Sequence, residues 1–121
     1  MIKVPCVSPS GEYFELFRDE GGIYLCPVCG SAEFDEPPYD TDGNPSFQMC
    51  SCKFEFGFDD SPLASEEAVE GLEANWNRWR LGVIEQTQNS PSELRTLEEN
   101  LSNIGYQLAY DLIPVKKTSF K

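Results

Sequence analysis

The chain contains no histidine. Histidine is the commonest general base and activates serine and cysteine nucleophiles, so its absence excludes Ser-His and Cys-His catalytic pairs. It also excludes metal sites that combine cysteine with histidine. A metal ion bound tightly by this chain would therefore have to be held by cysteine sulfur.

Basic residues are scarce as well. Nine Lys and Arg against 21 Asp and Glu give a formal net charge of -12. A surface of this sign repels phosphate backbones, whose binding depends on clustered Lys and Arg side chains. We therefore expect no nucleic-acid partner, and we expect any macromolecular partner to be another protein with a basic surface.

Long apolar runs are also missing. No segment approaches the roughly 20 apolar residues that cross a bilayer. The first nine residues lack the apolar core of a signal peptide and are interrupted by Pro5 and Pro9. The sequence predicts no membrane association and a cytoplasmic location, in which cysteines serve as thiols or metal ligands rather than as disulfides.

Four of the five cysteines form two close pairs, with two residues inside the first pair and one inside the second. Twenty residues separate the pairs, which matches the spacer of a two-turn zinc ribbon. Each pair supplies one edge of a tetrahedron, and proline and glycine favour a sharp turn around the first pair. The pattern predicts one Zn²⁺ ion held by Cys26, Cys29, Cys50 and Cys52. Because four sulfurs leave no position for water, we expect the zinc to be structural and the protein not to be an enzyme.

The second pair is shorter than the usual ribbon turn, since only Ser51 lies between its cysteines. A tighter turn lets fewer backbone N–H groups reach the sulfurs, which predicts weaker binding or a distorted geometry. Other interpretations stay open: a redox dithiol of Cys26 and Cys29, disulfides, a rubredoxin-like iron site, or a cluster that binds nothing. Cys6 is either a fifth cysteine of the metal site or a small buried apolar side chain.

The pattern of turns and apolar residues predicts one α+β domain over residues 1–121. Residues 1–60 are expected to form a β-rich, zinc-ribbon-like antiparallel sheet, and residues 61–121 a packed α-helical hairpin. Within the first half, segments 12–17 and 23–25 predict a β-hairpin that leads into Cys26. Residues 32–45, with their prolines, glycine and asparagine, predict a loop.

Two more short strands are predicted around the second cysteine pair, at 46–50 and 54–58. Phe54, Phe56 and Phe58 alternate along the latter, which predicts that all three face the core. Asp59 and Asp60, near Glu55, are interpreted as a turn that leads into the first helix, with a divalent-cation site as the alternative.

The second half has helical periodicity. Ser65 is predicted to cap the first helix, ahead of two acidic residues, and its buried stripe is predicted to be Leu72, Trp76, Trp79 and Val83. A capping box with proline at the first helical position, 90–93, predicts the start of the second helix. Its predicted stripe is Leu94, Leu97, Leu101 and Ile104, with Gly105 as the stop.

The end of the chain gives weaker signals. Residues 106–113 fit either a strand or a last helical turn, which Pro114 is expected to end. The tail, 116–121, is predicted to be mobile.

Four segments together carry a resemblance: the Cys-Pro-Val-Cys-Gly turn at 26–30, the Glu-Pro-Pro-Tyr motif at 36–39, Gly-Asn-Pro-Ser at 43–46, and Cys-Ser-Cys-Lys-Phe-Glu-Phe-Gly-Phe-Asp-Asp at 50–60. They resemble an uncharacterised family of small bacterial cysteine-rich proteins with a zinc-ribbon-like signature. The resemblance spans about residues 23–60 and implies a bacterial origin and the metal site, without an assigned activity. The family's second pair has two intervening residues, whereas this chain has one.

These features lead to one functional expectation and one alternative. We expect a small acidic zinc-ribbon protein that binds another protein, as an adaptor or an immunity-like protein. The alternative is a thiol-disulfide oxidoreductase that uses Cys26 and Cys29. Zinc content and thiol reactivity distinguish the two.

Overall fold

A computed structural model describes residues 1–60, 71–109 and 111–116. Its first half contains a four-stranded antiparallel sheet in the order β1-β2-β3-β4. The strands are β1 (Ile2–Val7), β2 (Tyr13–Arg18), β3 (Tyr24–Leu25) and β4 (Ala32–Phe34). Two helices follow, so the α+β arrangement predicted from the sequence is confirmed.

The hairpin that leads into Cys26 is also confirmed. β2 pairs with β1 over its whole length and meets β3 where Arg18 lies opposite Tyr24. Alternate residues of β2, Phe14 and Leu16, are buried, as expected for a strand with one face on the core. The turn between β2 and β3 is closed by Asp19, whose carboxylate accepts backbone N–H groups of Gly21 and Ile23.

The segments around the second cysteine pair differ from the prediction. Neither 46–50 nor 54–58 forms a strand, and their pairing is reduced to a single bridge between Met49 and Glu55. Phe47 and Lys53 adopt positive φ angles of 64° and 75°, which interrupt an extended conformation. The prediction of a loop over 32–45 is also wrong for its first three residues, because they form β4.

Only two of the three alternating phenylalanines face the core. Phe54 and Phe56 are fully buried, whereas Phe58 is 61% exposed. The backbone turns after Phe56, with the N–H of Phe58 donating to the carbonyl of Glu55, so the two-residue alternation ends there. The prediction that Phe58 is buried is therefore wrong.

Helix α1 spans Leu72–Thr87 and helix α2 spans Pro91–Asn103. The predicted N-cap Ser65 lies outside the described residues. Gly71 occupies the N-cap position in the structure, and the backbone N–H groups of Leu72 and Glu73 donate to the carboxylate of Glu12, at 2.6 and 3.2 Å. An acidic side chain from the β1–β2 turn thus satisfies the start of a helix distant in sequence.

The buried face of α1 is rotated relative to the prediction. Trp76, Arg80 and Ile84 are its buried residues, while Trp79 and Val83 are half-buried. Trp76 contacts the rings of Phe14 and Tyr39 at centroid distances of 5.6 and 5.7 Å. This aromatic cluster joins α1 to the sheet.

Helix α2 follows the sequence prediction closely. Ser90 is its N-cap and proline its first residue, although the Ser90 side chain makes no capping hydrogen bond. Leu97, Leu101 and Ile104 are buried, and Gly105 follows with a φ of 89°, as a helix stop requires. The chain then forms a two-stranded hairpin of β5 (Tyr106–Leu108) and β6 (Pro114–Lys116).

This hairpin decides the ambiguity over residues 106–113 in favour of a strand, and Pro114 begins a strand rather than ending one. Residues 117–121 of the predicted mobile tail lie outside the described residues. Neither of the helices described here is both long and apolar enough to cross a membrane.

Candidate metal centre

The four paired cysteines meet at one point in the fold. Their sulfur atoms all lie within 4.8 Å of one another. Sulfurs of different pairs are in contact, with 3.5 Å from Cys29 Sγ to Cys50 Sγ and 4.0 Å from Cys26 Sγ to Cys52 Sγ. Zinc–sulfur bonds of about 2.3 Å in a tetrahedron require sulfurs about 3.8 Å apart. The cluster therefore has the dimensions of a four-sulfur metal site.

The first cysteine turn connects β3 to β4. Cys26 follows the last residue of β3, and its N–H donates to the carbonyl of Ser31 at 2.9 Å. The N–H of Val28 donates to Cys26 Sγ at 3.4 Å, and the N–H of Gly30 donates to the Cys26 carbonyl at 2.8 Å. This local network holds both sulfurs of the pair on the same side of the turn.

Gly30 is required at its position for two reasons. Its φ of 85° lies in the left-handed region, and a Cβ there would come within 2.5 Å of the carbonyl carbon of Asn100 and still closer to its oxygen. Asn100 belongs to α2. The first cysteine turn therefore packs directly against the backbone of the second helix.

The second cysteine turn reproduces the first with one residue fewer. The N–H of Cys52 donates to Cys50 Sγ at 3.4 Å, and the N–H of Lys53 donates to the Cys50 carbonyl at 2.8 Å. Lys53 follows the second cysteine of its turn with a positive φ, as Gly30 does in the first turn. Each turn thus directs a backbone N–H at its leading sulfur, and the expected loss of such a contact in the shorter turn does not occur.

The environment of the sulfurs gives them unequal proton affinities. Burial raises the pKa of Cys26 well above its ordinary value. Hydrogen bonds from Cys26, Cys50 and Cys52 hold the pKa of Cys29 well below its ordinary value, and hydrogen bonding from Cys26 lowers the pKa of Cys50 to about 6. Since these sulfurs are in contact, they titrate as one cluster in which thiols donate to thiolates.

Glu33, which sequence reasoning missed, links the two turns. Its carboxylate accepts the backbone N–H of Ser51 at 3.2 Å and the Ser51 hydroxyl at 2.8 Å, and it also accepts the hydroxyl of Ser31. Ser31 in turn lies 3.5 Å from the sulfurs of Cys29 and Cys50. No sequence signal distinguishes Glu33 from the many other acidic residues of this chain.

Arg80 is the second residue that sequence reasoning did not place at the site. Its Nε donates to the carbonyl of Val28 at 2.6 Å, and a terminal guanidinium nitrogen donates to the carbonyl of Pro27 at 2.8 Å. The other terminal nitrogen donates to the Asn77 side chain, and the guanidinium lies 4.1 Å from the centre of the Tyr106 ring. Its four-residue spacing from Trp76 places it on the same face of α1, but no sequence signal marks this charged side chain as buried.

Trp79 connects α1 to the second cysteine turn. Its indole N–H donates to the carbonyl of Cys52 at 3.0 Å, and its ring meets Phe54 edge-on at 5.3 Å. The two turns are therefore held by different residues of the same helix, Arg80 for the first and Trp79 for the second.

The remaining sequence candidates lie elsewhere. Cys6 is outside the sulfur cluster; it is buried beside β2, and its thiol donates to the carbonyl of Val4. Asp59 and Asp60 accept backbone N–H groups of Glu55 and Gly57 at 2.7 and 2.8 Å, so they stabilise a turn. Tyr39 of the Glu-Pro-Pro-Tyr motif is buried and donates its hydroxyl to Asp60.

Among the described residues, the four cysteines form the one cluster with a geometry suited to a metal ion. Comparisons with protein-family models, with curated proteins and with solved structures find no match to this chain.

Proposed function

We propose that the chain is a non-enzymatic protein-binding domain whose fold is organised by one structural Zn²⁺ ion. The observation that carries the proposal is the cluster of Cys26, Cys29, Cys50 and Cys52, with sulfurs within 4.8 Å of one another. Four thiolates satisfy the usual coordination of zinc and leave no position for a substrate or an activated water. Three of the four cysteines are buried, as suits a structural site.

Two surface properties support protein binding. The net charge of -12 favours a basic partner, and a divalent ion held by four thiolates adds two more negative charges. Phe47 and Met49 are 65% and 55% exposed, and Phe58 is exposed as well. The ring of Phe47 lies against Gly57, next to Phe58 in the chain. Exposed apolar residues grouped in this way are typical of interaction surfaces.

A role as adaptor or immunity-like protein, and membership of the bacterial cysteine-rich family, stay predictions that the sequence resemblance supports. The thiol-disulfide oxidoreductase is less well supported. Its attacking cysteine would need to be exposed, whereas Cys26 and Cys29 are both buried, with 0% and 5% of their surface exposed. The sulfur of Cys29, moreover, contacts the sulfur of Cys50 at 3.5 Å, so it is engaged with the second cysteine pair.

Elemental analysis of the purified chain tests the metal. We expect one equivalent of zinc per chain and loss of the fold's cooperative unfolding after treatment with a chelator. Cys52→Ser should lose most of the zinc, and Cys6→Ser, a matched control outside the cluster, should retain it. Zinc-free wild-type protein with a reversible Cys26–Cys29 disulfide would instead support the oxidoreductase.

Affinity capture from native cell extract tests the binding role. The wild-type chain should retain a specific basic protein, and a double variant with serine at Phe47 and Phe58 should lose it while keeping its zinc. Recovery of nucleic acid in place of a protein would contradict the proposal.

A further inference from the structure

Arg80 is the most deeply buried charged side chain of the described residues, with 1% of its surface exposed. A guanidinium stays protonated under all ordinary conditions. Burying such a charge is costly unless an opposite charge compensates it. Within residues 1–60, 71–109 and 111–116, however, Arg80 forms no salt bridge with a carboxylate.

The observed partners of Arg80 are neutral. They comprise the carbonyls of Pro27 and Val28, the amide oxygen of Asn77 and the ring of Tyr106. Dipoles of this kind satisfy the N–H groups but carry no net negative charge. The two carboxylates that line the same cavity as Arg80, Glu15 and Glu73, form ion pairs with Lys3 and Lys116 instead.

The two backbone carbonyls that Arg80 contacts place its guanidinium next to the candidate metal centre. Pro27 and Val28 are the residues between Cys26 and Cys29, so the guanidinium contacts the backbone that carries two sulfurs of the candidate metal centre. A divalent ion with four thiolates has a net charge of about -2. Loading the centre therefore places a buried anion beside the turn that holds the buried cation.

We propose that Arg80 is the internal counter-charge of the metal centre, stabilising the centre when its four cysteines hold a divalent ion. The inference rests on the proposed metal site and deepens it. Arg80 acts as a positioning residue, because it reaches the ligands through the first turn and does not touch the metal. Its location on α1 also makes the packing of that helix dependent on the charge of the centre.

Three variants test the proposal on the whole 121-residue chain. Arg80→Gln removes the charge but keeps hydrogen-bond donors, Arg80→Lys keeps the charge, and Arg95→Gln removes a charge from the exposed face of α2 as a matched control. Zinc affinity is measured by competition with a chromophoric chelator at constant pH. The Fe(III)/Fe(II) reduction potential of the iron-substituted protein is measured alongside, because a purely structural role for Arg80 would leave this potential unchanged.

For Arg80→Gln we expect zinc affinity to fall about 10- to 100-fold, as for other residues that support metal ligands. The iron potential should become more negative, since a nearby cation favours the reduced centre with its larger negative charge. Arg80→Lys should recover most of the potential, and Arg95→Gln should match wild type in both measurements.

An unchanged potential in a folded Arg80→Gln variant would overturn the counter-charge role, even if zinc affinity fell. If Arg80→Gln does not fold, Asn77→Asp decides, because it places a carboxylate on the guanidinium and neutralises it in place: a more negative potential supports the role of charge, and an unchanged potential refutes it. Failure of the wild-type chain to bind any divalent metal would overturn the proposed function itself, which separates the two failures.

Discussion

Replacing Gly30 by alanine inserts a methyl group between the first cysteine turn and α2. The new Cβ would lie 2.5 Å from the carbonyl carbon of Asn100 and 3.2 Å from the backbone nitrogen of Leu101. Both atoms belong to a helix backbone, which cannot move aside as the end of a flexible side chain can. The φ of 85° adds a second penalty, because alanine disfavours the left-handed region.

The two penalties can be estimated separately. The left-handed conformation costs about 1–2 kcal/mol for a residue with a Cβ. Overpacking against a fixed neighbour costs typically about 1–3 kcal/mol. We therefore expect Gly30→Ala to lower the free energy of unfolding by roughly 2–5 kcal/mol, a large share of the total stability of about 5–15 kcal/mol that small domains possess.

Urea denaturation of the zinc-loaded protein, followed by circular dichroism, measures this loss of stability. Two control variants separate the conformational penalty from the overpacking penalty. Gly105→Ala shares the positive φ, but nothing lies within 4 Å of its added Cβ, so it should show the conformational penalty alone. Gly82→Ala lies within α1 with open space around it and should stabilise the protein by up to about 1 kcal/mol. If Gly30→Ala were no more destabilising than Gly105→Ala, the close packing of the cysteine turn on α2 would be refuted.

Further predictions concern the second turn, the core and pH. Lys53→Gly should raise the free energy of unfolding by about 0.5–1 kcal/mol, because glycine accommodates the φ of 75°; a loss of stability in urea titrations would contradict this. Phe56→Ala should cost about 3–5 kcal/mol and Phe58→Ala less than about 0.5 kcal/mol in the same assay, since only the former is buried. Burial raises the pKa of Asp60, so its charge opposes folding at neutral pH; this cost begins to shrink as the pH falls to the folded pKa and is gone below the lower pKa of the unfolded chain. The difference in stability between wild type and Asp60→Asn, which resembles the protonated form, should therefore shrink on acidification. Lowering the pH from about 7 to about 5 should also release zinc in equilibrium dialysis, because protons compete with the metal for thiolates.

The cysteine cluster could be predicted from the sequence because its determinants are local. Two residues between Cys26 and Cys29, with a glycine after them, already define a turn that presents both sulfurs on one side. Helix α2 was predictable for the same reason, since the proline that begins it and the glycine that ends it are immediate neighbours of the helical stripe.

The burial of Arg80 depends on contacts that no local pattern encodes. An arginine on a helix is usually solvent-exposed, and here it is buried because two carbonyls of a turn more than 50 residues earlier face it. Glu12, which caps the first helix from the β1–β2 turn, is a similar long-range case. Phe58 shows the opposite error, because the sequence pattern predicted burial and the residue is exposed. The alternation of apolar residues continues in the sequence beyond the point where the extended backbone ends.

The hydrogen bond from Trp79 to the carbonyl of Cys52 gives the protein an intrinsic fluorescent reporter. The Trp79 indole is hydrogen-bonded to the second cysteine turn, whereas the indole of Trp76 lies among the rings of the aromatic core. Emission from Trp79 should respond when the second cysteine turn rearranges, and emission from Trp76 should respond when the core unfolds. Replacing either tryptophan by phenylalanine would therefore allow loss of the metal ion and unfolding to be followed as separate changes in fluorescence, without an added label.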